Sequence, residues 1–136
     1  MAPGVVDTNV FIHAQTHDVL AEECLSFLEA VEEGRVESRL EPMVLHELSY
    51  ALPRYRRGMS RGQVADYLLA ILAWQGIVAD KSVLIQSVER WRDTDGLGFV
   101  DAYLAVIAST EGVPVYSKNV RELRGQGVVV PDRLPN

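Results

Sequence analysis

The chain has 136 residues, 48 % of them apolar, enough to bury one core and too few for two, so a single domain over 1–136 is expected. No run approaches the roughly 18 uncharged residues of a membrane span, no basic and apolar leader opens the chain, and Cys24 is the only cysteine, so a soluble, cytoplasmic protein without disulfides or thiolate metal clusters is expected. The formal net charge of −6 repels polyanions overall, so any nucleic acid must be met by a local basic patch.

An apolar strand at 4–7 opens the chain, followed by a turn and an amphipathic helix near 18–33 that Gly34 terminates. A short strand near 36–40 comes next, then a helix from Pro42 through about Leu52. "SRGQVADYLLAILAW" reads as a further helix with Ser60 as its N-cap. A brief strand near 77–79, a helix near 81–92, a glycine-containing loop and a helix near 99–110 follow. Strand "VPVY", a short helix after Asn119 and an edge strand "GVVV" complete the order. Strands that alternate with helices favour a parallel sheet covered on both faces, with the ligand site beyond the carboxyl ends of the strands.

Asp7 falls at such a carboxyl end, where it can cap the next helix or hold a ligand. Glu47, in "MVLHELSYAL", sits at the border of the apolar stripe of Val44, Leu45, Leu48 and Leu52, where a solvated helix face is the alternative. Asp101 is the one charge in "FVDAYLAVIA"; complementing the helix dipole is worth about 0.3 to 1 kcal/mol, and a cation partner would better explain a charge in so apolar a segment. Several carboxylates brought together stay ionised only around a cation. Their ligand atoms are all oxygen, which selects magnesium or manganese over structural zinc. His13, His17 and His46 show no paired ligand spacing and read as ordinary helix or loop histidines.

Together, "VVDTNVFI", "VLHELSYAL", "GFVDAYLAVIA" and "VYSKNVREL" resemble the PIN domain, most closely its compact VapC-type toxin ribonucleases of type II toxin–antitoxin systems. The resemblance covers essentially the whole chain. It implies a three-layer α/β/α sandwich around a central parallel sheet, and a site dependent on Mg2+ or Mn2+ that cleaves single-stranded or structured RNA internally. It also implies a homodimer and inhibition by a small cognate antitoxin. Motif by motif, the first three acids fall on Asp7, Glu47 and Asp101, the polar helper on Asn9, and the Ser or Thr that closes the fourth strand on Ser117. Many PIN domains carry Asp two residues after that Ser or Thr; here Asn119 stands there. A common toxin variant has Asn at that position and an Asp three residues later, which makes Glu122 the fourth acid. Asn119 and Glu122 also have the spacing of a helix capping box.

The mechanism so implied is metal-assisted phosphodiester hydrolysis, with Asp7, Asp101, Glu47 and Glu122 around the metal and Asn9, Ser117 and Asn119 hydrogen-bonding behind them. "PRYRRGMSR" supplies Arg54, Arg56, Arg57 and Arg61 to draw in RNA, with Tyr55 able to stack on a base. A solvated helix-turn-helix tip is the plainer use of that segment. Three alternatives stand beside the toxin: a PIN nuclease that processes RNA, a PIN module that binds without cleaving, and a phosphotransferase of the haloacid dehalogenase kind. The last needs a second Asp where this chain has Asn9.

Overall fold

The computed structural model describes residues 2–136, Met1 lying outside them, and divides into two compact units, one running to Lys81 and the other from Ser82 to Asn136. Among the described residues no helix is long and apolar enough to cross a membrane. The first unit holds a small parallel sheet of β1 (Gly4–Val5), β2 (Ser38–Arg39) and β3 (Ile77–Val78), in the order β1-β2-β3. Gly4 pairs with Ser38, and Ser38 with Ile77. Parallel neighbours require long crossovers. Here α1 (Thr8–Ala14) and α2 (Ala21–Glu32) join β1 to β2, and α3 (Pro42–Tyr55) and α4 (Arg61–Leu72) join β2 to β3. The return from α4 to the sheet depends on Gly76, where a Cβ would stand 2.1 Å from the Val36 carbonyl oxygen and 2.5 Å from that of Val31. Only glycine tolerates so close a backbone approach.

Helix α3 starts on Pro42, whose missing N–H is no loss in a first turn, and buries Leu45, Leu48 and Leu52 at helical spacing. It does not stop at Leu52 as expected. Arg56 N–H still bonds the Leu52 carbonyl at 2.9 Å, so the helix continues past Pro53 and takes Arg54 and Tyr55 with it. Ser60 caps α4 as expected, in a full capping box: its Oγ accepts from Gln63 N at 3.1 Å while Gln63 Oε1 accepts from Ser60 N at 2.8 Å. Phe11 of α1 stacks on Trp74 at 6.4 Å between ring centroids, pinning α1 to the end of α4. That first helix corrects the expected turn, because Asp7 caps a seven-residue helix at once and Phe11, Ile12 and Ala14 bury its apolar side.

The second unit contains α5 (Lys81–Asp93, beginning one residue before the boundary), α6 (Phe99–Glu111) and α7 (Val120–Arg124). Its core gathers Ala105, Ala108, Val115, Leu123, Val128 and Val130. Gly112 ends α6 in the left-handed region at φ 66°, the cap that glycine permits. Helix α6 is less enclosed than its composition suggests, since Val100 and Leu104, one turn apart, remain exposed. The strands expected at 113–116 and 127–130 are absent among the described residues. A backbone bond from Val115 N to the Val129 carbonyl at 2.9 Å joins the two segments, and Pro114 and Pro131 remove donors that a longer ladder would need.

Candidate active site

Strands β1 and β2 are parallel neighbours, and the chain leaves their carboxyl ends toward α1 and α3. Asp7 lies two residues beyond β1 and Glu47 in the second turn of α3. Both are exposed, and both line one cleft of about 590 Å³ that Thr8, Asn9, Tyr50 and Arg54 also line. Of the two uses its position allowed, the cap on α1 is formed. Its Oδ1 accepts the Thr8 N–H at 2.7 Å, capping α1, and the same carboxylate faces the cleft. Thr8 is 5 % exposed, and its buried hydroxyl oxygen has no hydrogen-bond partner among the described residues. A buried polar atom left unsatisfied costs stability and marks a place where a partner is owed.

The same cleft has a feature that the sequence reading passed over. His13 Nδ1 pairs with Asp18 Oδ2 at 2.7 Å, Thr16 Oγ donates to that oxygen at 2.8 Å, and Leu20 N donates to Asp18 Oδ1 at 2.9 Å. The hydrogen bond from His13, and then that from Thr16, hold the Asp18 carboxyl below the usual carboxylate range. Spacing alone could not reveal this pair, because the separation of five residues from His13 to Asp18 spans the end of α1 and matches no single helical or strand period. At Cys24, burial, then the charges of Glu23 and Asp18, push the thiol up and disfavour the thiolate.

In the second unit, Asp101 is half-buried near the start of α6, and its Oδ2 accepts from Asn119 Nδ2 at 3.0 Å. Among the described residues, an amide is thus its side-chain hydrogen-bond partner. Asn119 N–H in turn donates to Ser117 Oγ at 2.9 Å, so Ser117, Asn119 and Asp101 form one hydrogen-bonded chain. With its side chain spent on Asp101, Asn119 makes no side-chain cap on α7, and the capping box suggested for Asn119 and Glu122 does not form. Glu122 is exposed and lines a groove with Asp95, Arg121 and Gln126. The arginines also separate. Arg54 lines the Asp7–Glu47 cleft, whereas Arg56 and Arg57 line another groove in the first unit, beside Tyr67. Arg56 donates to Gln15 Oε1 at 3.1 Å, and Arg61 opens α4.

Among the described residues no three His, Cys, Asp or Glu side chains gather into a metal-binding group. The cleft supplies the carboxylates of Asp7 and Glu47, the amide oxygen of Asn9 and, already paired with His13, the carboxylate of Asp18. Magnesium commonly takes only one or two protein carboxylates and fills its shell with water and substrate phosphate, so this all-oxygen set fits a hard divalent ion.

The parallel sheet with its crossover helices places the chain among the α/β proteins, and Asp7 and Glu47 stand off the ends of adjacent strands, where such proteins usually bind ligands. More narrowly, the chain belongs to the PIN domain family, whose model matches residues 4–123. The match begins at β1 and runs through Leu123, spanning both units. PIN domains are generally nucleases and bind divalent metal ions. Comparison with curated proteins and with solved structures found no match.

Proposed function

We propose that the chain is a magnesium- or manganese-dependent endoribonuclease of single-stranded RNA, and that it acts as the toxin of a toxin–antitoxin pair. The observation that carries the nuclease reading is the shared cleft of Asp7 and Glu47, off neighbouring parallel strands in a PIN chain. Asp7 and Glu47 would hold the ion through their free carboxylate oxygens. When bound, such an ion lowers the pKa of water and offsets charge that builds on the phosphoryl oxygens. Asn9 brings an amide that can fix a carboxylate or a phosphate oxygen. Asp101 joins the reaction as the third acid through its motif, with Asn119 fixing one of its oxygens. Glu122 is assigned as the fourth acid. Water is the nucleophile, and no side chain forms a bond to phosphorus.

The arginines at 54, 56, 57 and 61 supply local positive charge that an acidic chain needs to hold RNA. The three-layer α/β/α sandwich, the single domain, the homodimer, the cytoplasmic location and the small cognate antitoxin belong to the same proposal, and rest on the resemblance of the motifs to VapC-type toxins. Expressed alone, the chain should arrest growth, and coexpression of an antitoxin encoded beside it should relieve the arrest. Equal growth with the wild type and Asp7→Asn at matched protein levels would remove the toxin role and leave the nuclease standing.

A further inference from the structure

On one face of α3, His46, Tyr50 and Arg54 recur at intervals of four residues, which stacks them one above another. The rings of His46 and Tyr50 meet edge to face, 5.4 Å between centroids and 69° between planes. The Arg54 guanidinium carbon stands 5.7 Å from the Tyr50 centroid, a cation–π distance. Tyr50 is thus fixed from both directions along the helix, yet it stays 47 % exposed, and Tyr55 five residues on is 57 % exposed. Both tyrosines and Arg54 line the cleft of Asp7 and Glu47. Glu47 precedes Tyr50 by three residues, a rise of about 4.5 Å along the helix, so the acidic mouth and the aromatic wall lie within the span of one nucleotide. Thr8 and Asn9 line the same cleft.

We propose that Tyr50, Arg54 and Tyr55 form a nucleobase subsite, so that the cleft takes an unpaired nucleotide with its base against the aromatic wall and its phosphate toward Asp7 and Glu47. Every base has a π-face, so stacking of this kind is tolerant of sequence, while a base held in a duplex cannot reach it. A guanidinium on Tyr50 extends the platform, since arginine stacks on bases as well as on rings. The wall therefore selects single-stranded over double-stranded substrate before any chemistry occurs. This deepens the nuclease reading and rests on it for the orientation of the phosphate; the stacking itself rests on the side chains alone.

The test uses the full chain with magnesium and adenosine 5′-monophosphate, which has no diester to cleave, beside ribose 5-phosphate, which has no base. Proton NMR should show upfield ring-current shifts at Tyr50 and Tyr55 with the nucleotide and not with the sugar phosphate. Tyr50→Ala should weaken nucleotide affinity by roughly 5- to 150-fold, the range for one base–aromatic stack, and Tyr50→Phe should restore it. Equal shifts with ribose 5-phosphate, or wild-type affinity in Tyr50→Ala, would overturn the proposal and return the wall to solvent or to a protein partner. Stacking in a protein that fails to cleave RNA would uphold the subsite and remove the nuclease. Cleavage without stacking would do the reverse.

Discussion

Asp7 both caps α1 and faces the cleft, and two substitutions separate those roles. Asn is as good an N-cap as Asp, whereas Ala provides no acceptor. The cap bond goes to Thr8 N, the first helical residue, and not to the second or third N–H that a cap usually serves. Its loss in Asp7→Ala should therefore fall toward the lower end of the usual range, about 0.5 to 1 kcal/mol. In a chain of this size that lowers Tm by about 2 to 4 °C. Asp7→Asn keeps the cap, gives up a small dipole contribution and relieves repulsion with Glu47, so it should melt within about 2 °C of the wild type. Cleavage should behave differently. Losing a partner behind a metal ligand costs about 10- to 100-fold, so losing a carboxylate that holds the ion should cost both variants at least about 100-fold, or about 2.7 kcal/mol of barrier. Calorimetric melting and gel-resolved cleavage of a labelled single-stranded RNA would be run on all three proteins. If Asp7→Asn cleaves at the wild-type rate, the carboxylate is a helix cap and nothing more.

Two further perturbations address the other acids. Glu122 takes part in no capping box, so Glu122→Gln should leave Tm unchanged and lower cleavage at limiting magnesium by about 10-fold; wild-type magnesium dependence would reduce the acid set to Asp7, Glu47 and Asp101. Asp18 has its pKa depressed in the fold by His13 and Thr16, so its stabilisation is present above the unfolded carboxylate value near pH 4 and is lost as pH falls through the lower folded value. Asp18→Asn should accordingly melt below the wild type at pH 6, and the two melting curves should converge as pH falls through the lowered folded value; a gap that stays constant with pH would show that the pairing adds nothing pH-dependent.

The positions of Asp7 and Glu47 were legible in the sequence because each depends on local rules: an apolar run that stops at an acid, and a leucine stripe with a carboxylate at its border. Gly34, Ser60 and Pro42 marked helix ends for the same reason, since caps and breakers act within one turn. The helix at Thr8–Ala14 was missed because its seven residues give too few turns for periodicity to register. "VPVY" and "GVVV" have the composition of strands, but a ladder depends on a partner's donors, and proline withholds some of them. The bond from Asn119 to Asp101 joins residues 18 apart, and the ladder of His46, Tyr50 and Arg54 acquires meaning only once its face is known to line the cleft. Long-range pairing of this kind leaves no periodic trace in a single sequence.

The central claim is that this PIN chain cuts RNA through its acidic cleft with a divalent ion. It is met most directly by incubating the purified wild-type protein with single-stranded RNA across a magnesium series, then with chelator, then with manganese restored. Cleavage should rise with magnesium, stop with chelator and return with manganese, and Glu47→Gln should require more ion to reach the same rate. Cleavage that persists unchanged in chelator, or an RNA that stays intact at every ion concentration, would contradict it.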